Sequence, residues 1–188
     1  MPKDKGSGQF EAVVLCHLDL VYRIARTLSR DSHEAEDLVQ ETFLRAHSAF
    51  DRFDLREYGA KPWLLKILHN VFFTRRGQSK RAPSLLDDVS FDDFAAEIER
   101  EDLPVLEAGQ VDWEHFDEEL KRAVESLSPE YRSVLMLWSL GDLSYKEIAQ
   151  VLDCALGTVM SRLYRARQLL STGLSDYARQ RGLRARRG

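Results

Sequence analysis

Near the end of the chain, the stretch "GTVMSRLYRARQLL" (Gly157 to Leu170) sets three arginines and no acid on a helical spacing. On a 3.6-residue wheel, Val159, Leu163, Ala166 and Leu170 fall together as a buried seam. Thr158, Ser161 and Arg165 centre the opposite face, with Tyr164 on one flank and Arg162 on the other. Small hydroxyls, guanidiniums and an aromatic ring are the groups that meet base edges and phosphates. The N-terminus of such a helix adds partial positive charge for a phosphate. The blander use of the same residues is a solvated arginine face on a helical bundle.

Two further sets have chemistry-bearing spacing. Asp37, Gln40, Glu41 and Leu44 recur at i, i+3, i+4 and i+7, one acidic and partly apolar face beside a buried side of Leu38, Val39, Phe43 and Ala46. Such a face either meets solvent or docks on a basic partner surface. Along "PWLLKILHNVFFTRR", Lys66, Asn70 and Arg75 are expected to project together toward nucleic acid. The asparagine amide can both donate to and accept from an exposed base edge. Arg75, Arg76, Lys80 and Arg81 read as phosphate contacts, which bring affinity without sequence information. Trp63, after a helix-start proline, is either a core anchor or a base platform.

Catalysis has no comparable signal. No carboxylate pair, Ser-His-Asp set or glycine-rich phosphate loop stands out. His17, His33, His47, His69 and His115 share no ligand spacing with Cys16 and Cys154, so neither a metal site nor a cofactor is expected. Cys154 reads as a small buried residue.

The elements that must carry these faces are helices, for apolar periodicity is helical and no segment alternates as a strand does. From Glu11 to Leu28, Val14, Leu15, Leu18, Val21, Tyr22, Ala25 and Leu28 form one expected stripe. Asp31 followed by Glu34 reads as a capping box opening a second helix. Pro62 opens a third, which stops near Gly77. A block without acid (Lys61, Lys66, Arg75, Arg76, Lys80, Arg81) is followed by a run of acids from Asp87 to Glu119 that only Arg100 opposes. Residues 82–112 therefore read as an acidic linker between two helical domains, 10–81 and 113–174.

The second domain opens with a helix from Trp113 to Ser126, its apolar side Phe116, Leu120, Ala123, Val124 and Leu127. Ser128 caps the next helix, with Pro129 at its first position and Gly141 past its end. A second capping box, Ser144 to Glu147, starts a short helix, and "DCAL" delivers the chain to the stretch quoted first. Two short helices joined by about four residues form a helix-turn-helix, whose second helix normally enters the DNA major groove. A basic tail occupies residues 175–188.

Bulk properties agree with an all-α, two-domain protein. The 188 residues are 44% hydrophobic, enough for packed cores, and the net charge of −4 hides a sorting of charge along the chain. No apolar run reaches membrane-span length, and "MPKDKGSGQ" lacks the apolar segment of a secretory signal. Two distant cysteines suit a reducing cytosol. A cytoplasmic protein without membrane insertion is expected.

"LSPEYRSVLMLWSLGDLSYKEIAQVLDCALGTVMSRLYRARQLL" resembles region 4 of a bacterial RNA polymerase sigma factor of the extracytoplasmic-function group of the sigma-70 family. "DSHEAEDLVQETFLRAHSAFDRF" and "KPWLLKILHNVFFTRRGQSKR" resemble region 2 of the same family, and the likeness runs from about Phe10 to Ser171. The resemblance implies a non-enzymatic subunit that binds core RNA polymerase, directs it to −35 and −10 promoter elements and helps to melt the DNA. It implies docking of Asp37, Gln40, Glu41 and Leu44 on a coiled coil of the polymerase β′ subunit. It implies −10 contacts from Lys61, Trp63, Lys66, Asn70, Arg75 and Arg76, with a pocket for flipped bases in "FDLREYGAKPW". It implies −35 contacts from Thr158, Ser161, Arg162, Tyr164 and Arg165, and an anti-sigma protein as a further partner. The acidic linker would thread into the polymerase near the RNA path, or serve only as a solubilising spacer.

Met160 and Thr74 depart from the family pattern. Arginine or lysine is common at the first position, and an acid or amide at the second. Two rivals from other classes remain open at this point. One is a stand-alone helix-turn-helix regulator with an N-terminal dimerisation or sensor module. The other is a protein-interaction adaptor whose arginine face binds acidic partners.

Overall fold

A computed structural model describes residues 5–29, 31–53, 59–77 and 118–174. These residues are helical with short turns, and no strand occurs among them. The chain divides into two compact units, the first of residues 1–81 and 150–153 and the second of residues 82–149 and 154–188. The acidic linker, the basic tail, Lys80, Arg81, Phe116 and the centre of the "FDLREYGAKPW" loop lie outside the described residues.

The first unit holds α1 (Lys5–Val14), α2 (Leu18–Ser29), α3 (Ser32–Ala49) and α4 (Ala60–Arg75). The single helix expected over residues 11–28 is interrupted by a 3-10 turn at Leu15–His17. That turn advances about 120° per residue instead of 100°, so three residues shift the phase by about 60°. The shift swings Leu18 and Tyr22 out of the stripe, leaving them 43% and 38% exposed, with Leu15 at 42%. Ile24 takes their place, buried beside Val14, Val21, Ala25 and Leu28. These pack against α3 and α4, whose own contributions are Ala35, Leu38, Val39 and Ala46, and Leu64, Leu65, Leu68, Val71 and Phe72.

Local chemistry sets the ends of these helices. The Asp31 carboxylate accepts from the Glu34 backbone N–H at 2.9 Å, satisfying one of the donors a helix start leaves open. On α3, Thr42 replaces the expected Phe43 in the buried side, its hydroxyl donating to the Leu38 carbonyl at 2.6 Å. Phe43 is only half-buried. α4 begins two residues before Pro62, which still lies in the first turn where its missing N–H costs nothing. Gly59 and Gly77 flank α4 with φ of +64° and +65°, a backbone that side chains strain to adopt.

The second unit holds α5 (Glu118–Ser126), α6 (Pro129–Ser139), α7 (Tyr145–Leu152) up to Ala149, and α8 (Leu156–Gly173). Val124, Leu127, Val134, Leu135, Met136, Leu137, Leu143, Ile148 and the α8 seam form its core. Arg132 is the unexpected member at 1% exposure. Its guanidinium donates to the carbonyls of Val124 (3.2 Å), Glu125 (2.6 Å) and Leu127 (2.7 Å). It thus satisfies the open carbonyls at the end of α5, and its positive charge suits the negative end of that helix.

Ser128 caps α6 through its hydroxyl, which accepts from the Tyr131 N–H at 3.4 Å. Past α6, a Cβ on Gly141 would lie 2.4 Å from the Leu137 carbonyl oxygen, so this corner admits only glycine. The Ser144–Glu147 box is reciprocal: the Glu147 carboxylate accepts from the Ser144 N–H at 2.8 Å, and the Ser144 hydroxyl from the Glu147 N–H at 3.3 Å. Between α7 and α8, Asp153 takes φ +53° and the Cys154 N–H donates to the Ala149 carbonyl at 3.1 Å. α8 then starts at Leu156, one residue earlier than its glycine suggested.

Candidate polymerase and nucleic-acid interfaces

In the first unit, α3 presents Asp37, Gln40, Glu41 and Leu44 on one face, as the spacing implied. They line a shallow groove with Arg45, Ser48, Arg52 and, from α4, Arg75. Leu44 is 70% exposed, the most open of the large apolar side chains among the described residues. An exposed leucine with Asp37, Gln40 and Glu41 on its own face suits a partner with apolar and basic groups, although Arg45, Arg52 and Arg75 line the same groove. Glu41 is already engaged: Arg75 Nη2 donates to its Oε2 at 2.8 Å, and Arg45 Nε to its Oε1 at 2.9 Å. The Arg75 and then the Arg45 hydrogen bonds hold its carboxyl below the ordinary carboxylate range.

Arg75 therefore does not join Lys66 and Asn70. Nine residues separate it from Lys66, two and a half turns, which puts the two on opposite sides of α4. Its guanidinium also donates to the Asp37 backbone carbonyl at 3.3 Å. Arg76 lies over the Phe72 ring at 5.4 Å from its centroid. Lys61 falls on the far side as well, close enough to His17 that its charge, after burial, lowers the imidazole pKa. What α4 does gather on one face is Trp63, Lys66 and Asn70, all half-buried. Trp63 stacks on Phe53, centroids 4.0 Å apart and planes 14° from parallel, joining the start of the loop to the first turn of α4.

In the second unit, α7, the turn and α8 form the helix-turn-helix. Val159, Leu163, Ala166 and Leu170 are buried as the wheel required. Thr158, Ser161 and Arg162 are half-buried on the other face, and Arg165 is exposed there. The Ala155 cap contributes no side-chain bond, so the first turn of α8 keeps its N–H groups for an outside acceptor.

Tyr164 departs from its expected place flanking that face. It is buried to 3% exposure, and its hydroxyl accepts from Gln168 Nε2 at 2.8 Å. A tyrosine between an apolar seam and a polar face can turn either way; a hydroxyl partner four residues on lets it turn inward. Sequence reasoning also missed Arg167, whose guanidinium stacks on Trp138 at 4.5 Å. Burial lowers its pKa, with Tyr145 acting in the opposite sense. The signal available was its position half a turn from Thr158, on the opposite side of α8 from the face of Thr158, Ser161 and Arg165. Met160 is half-buried.

Among the described residues no helix is long and apolar enough to cross a membrane, and no group of three or more His, Cys, Asp and Glu could hold a metal ion.

Comparison with known proteins follows these two units. The model of Sigma-70 region 2 matches residues 13–82, and that of Sigma-70, region 4 matches residues 117–170. The ECF RNA polymerase sigma factor SigM of Bacillus subtilis is 31% identical over 164 residues, which is 85% of this chain and 94% of that protein. The ECF RNA polymerase sigma factor SigE of Mycolicibacterium smegmatis is 33% identical over 171 residues, 90% of this chain. The chain spans only 63% of the length of that second relative. The sigma factor RpoE, solved in complex with the anti-sigma factor NepR from Bartonella quintana, superposes with a TM-score of 0.62 at 28% identity. That likeness covers 86% of this chain and 93% of RpoE. With both regions matched in order and a relative aligned along nearly its full length, the chain belongs to the extracytoplasmic-function group of sigma-70 RNA polymerase sigma factors.

Proposed function

We propose that this chain docks on core RNA polymerase through the α3 face of Asp37, Gln40, Glu41 and Leu44 and selects promoters with its two units. The observation that carries the reading is that face itself: Leu44 stands 70% exposed on the same helix face as Asp37, Gln40 and Glu41, which would meet a basic coiled coil of β′ in competition with Arg45 and Arg75. Trp63, Lys66 and Asn70 on α4 would meet the −10 element, and Thr158, Ser161, Arg162 and Arg165 on α8 the −35 element. Arg76 and Lys61 would serve phosphates rather than bases. The polymerase supplies the chemistry of RNA synthesis, so the chain acts without catalysis of its own, in the bacterial cytoplasm. An anti-sigma protein, as in the RpoE–NepR complex, would be its antagonist.

The test is co-elution of the purified chain with bacterial core polymerase in gel filtration, wild type against Asp37→Ala/Gln40→Ala/Glu41→Ala. Co-elution abolished by the triple change is the expected result. No co-elution at micromolar concentration, together with tight binding to duplex DNA alone, would overturn the reading in favour of a stand-alone regulator.

A further inference from the structure

Arg165, the exposed guanidinium on the side of α8 proposed to face DNA, is hydrogen-bonded within its own helix. Its Nη1 donates to Gln168 Oε1 at 3.0 Å, and Gln168 Nε2 donates to the Tyr164 hydroxyl at 2.8 Å. Arginine only donates, so the amide oxygen must face it, and the amide NH2 must then face the hydroxyl. The orientation of Gln168 is thereby set from both ends. Tyr164, buried to 3%, is the fixed point of the relay, and the spacings i+3 and i+4 place all three groups on adjoining turns.

We infer that Gln168, anchored by Tyr164, is a positioning residue that aims Arg165 at a single base of the −35 element; this rests on α8 being the −35 helix. With Nη1 held by the amide, the Nε–Nη2 edge of the guanidinium is the pair of donors left to face outward. That planar fork matches the O6 and N7 acceptors of guanine in the major groove. An arginine that sweeps freely would contact phosphates and neighbouring bases instead, adding affinity with little discrimination. Tyr164, expected to touch DNA itself, acts one step removed.

The experiment uses holoenzyme formed from the full chain and core polymerase, bound to promoter DNA whose −35 positions are randomised, with the retained sequences read out. Arg165→Ala identifies the position that Arg165 reads, where wild type should prefer guanine by roughly tenfold. Gln168→Ala should lose most of that preference at that position alone, and Tyr164→Phe a smaller part of it. Gln168→Glu should keep it, because a carboxylate accepts from Arg165 and from the tyrosine hydroxyl together. Full preference retained by Gln168→Ala, or an even loss at every position, would overturn the relay and leave the −35 reading standing. No position changed by Arg165→Ala would overturn both.

Discussion

Arg75 at the end of α4 reaches the Glu41 carboxylate of α3 at 2.8 Å, across 34 residues of sequence. One of these residues stands in the basic block and the other in the acidic α3 face proposed for docking, so spacing alone assigned them to different partners. In the free protein they neutralise each other, with Arg45 as a second cation on the same carboxylate. A basic surface that docks on α3 must therefore compete for Glu41 with two arginines already there.

The strength of that pair is measurable by a double-mutant cycle of Glu41→Gln and Arg75→Met in urea unfolding. Both side chains are about one-third exposed, so the coupling should be small, roughly 0.2–1 kcal/mol, and should shrink with added salt. The Glu41 pKa is lowered by folding, so its contribution is present above the ordinary carboxylate pKa. It should disappear as the pH falls through the lowered value. A coupling that persists unchanged in acid or in high salt would mean that packing, not charge, joins α3 to α4.

His17 offers the opposite case, a base made harder to protonate. Burial first, and Lys61 second, lower its pKa below 6.5. The unfolded chain then binds the proton more readily, so stability should fall as pH drops from about 7 through the lowered folded value. His17→Gln should flatten this part of the stability profile, and Lys61→Met should diminish it. Thermal unfolding at a series of pH values is the check, and an unchanged slope in His17→Gln would sink the assignment.

Arg132 should be among the costliest single losses in the second unit. Its replacement by methionine keeps the apolar stem but orphans carbonyls on Val124, Glu125 and Leu127, an expected cost of about 3 kcal/mol. Arg132→Lys should recover only part of this, since one ammonium cannot span carbonyls reached through both Nε and Nη2. Urea unfolding followed by circular dichroism compares the three proteins. Equal stability of the methionine variant would mean that water satisfies those carbonyls without help.

The same arginine shows where sequence reading stops. In "SPEYRSVLMLW" it looks like one more surface cation, because nothing local says that the end of the preceding helix needs donors. The caps were legible: Asp31, Ser128 and the Ser144–Glu147 box act over three residues, and their chemistry is written in the residues themselves. So was the α8 seam, a single uninterrupted period. Tyr164 and Arg75 were not, since each sits at the edge of a face and is settled by a partner: Gln168 one turn on, Glu41 on another helix. Faces follow from periodicity; the choice made by a side chain on a boundary follows from contacts that periodicity does not contain.

The 3-10 turn at Leu15–His17 makes the sharpest case of this, and it can be tested by substitution on either side of it. An unbroken helix over residues 11–28 would bury Leu18 in the stripe with Val14 and Val21. The observed phase buries Ile24 to 1% exposure and leaves Leu18 at 43%. Leu18→Ala should then change stability by well under 1 kcal/mol beyond the higher helix propensity of alanine, whereas Ile24→Ala should cost about 2–4 kcal/mol through lost burial and a cavity. Comparable costs at the two positions would mean that the helix runs on through the turn in solution. The expected asymmetry would place the break there and leave Leu15, Leu18 and Tyr22 as one exposed apolar row.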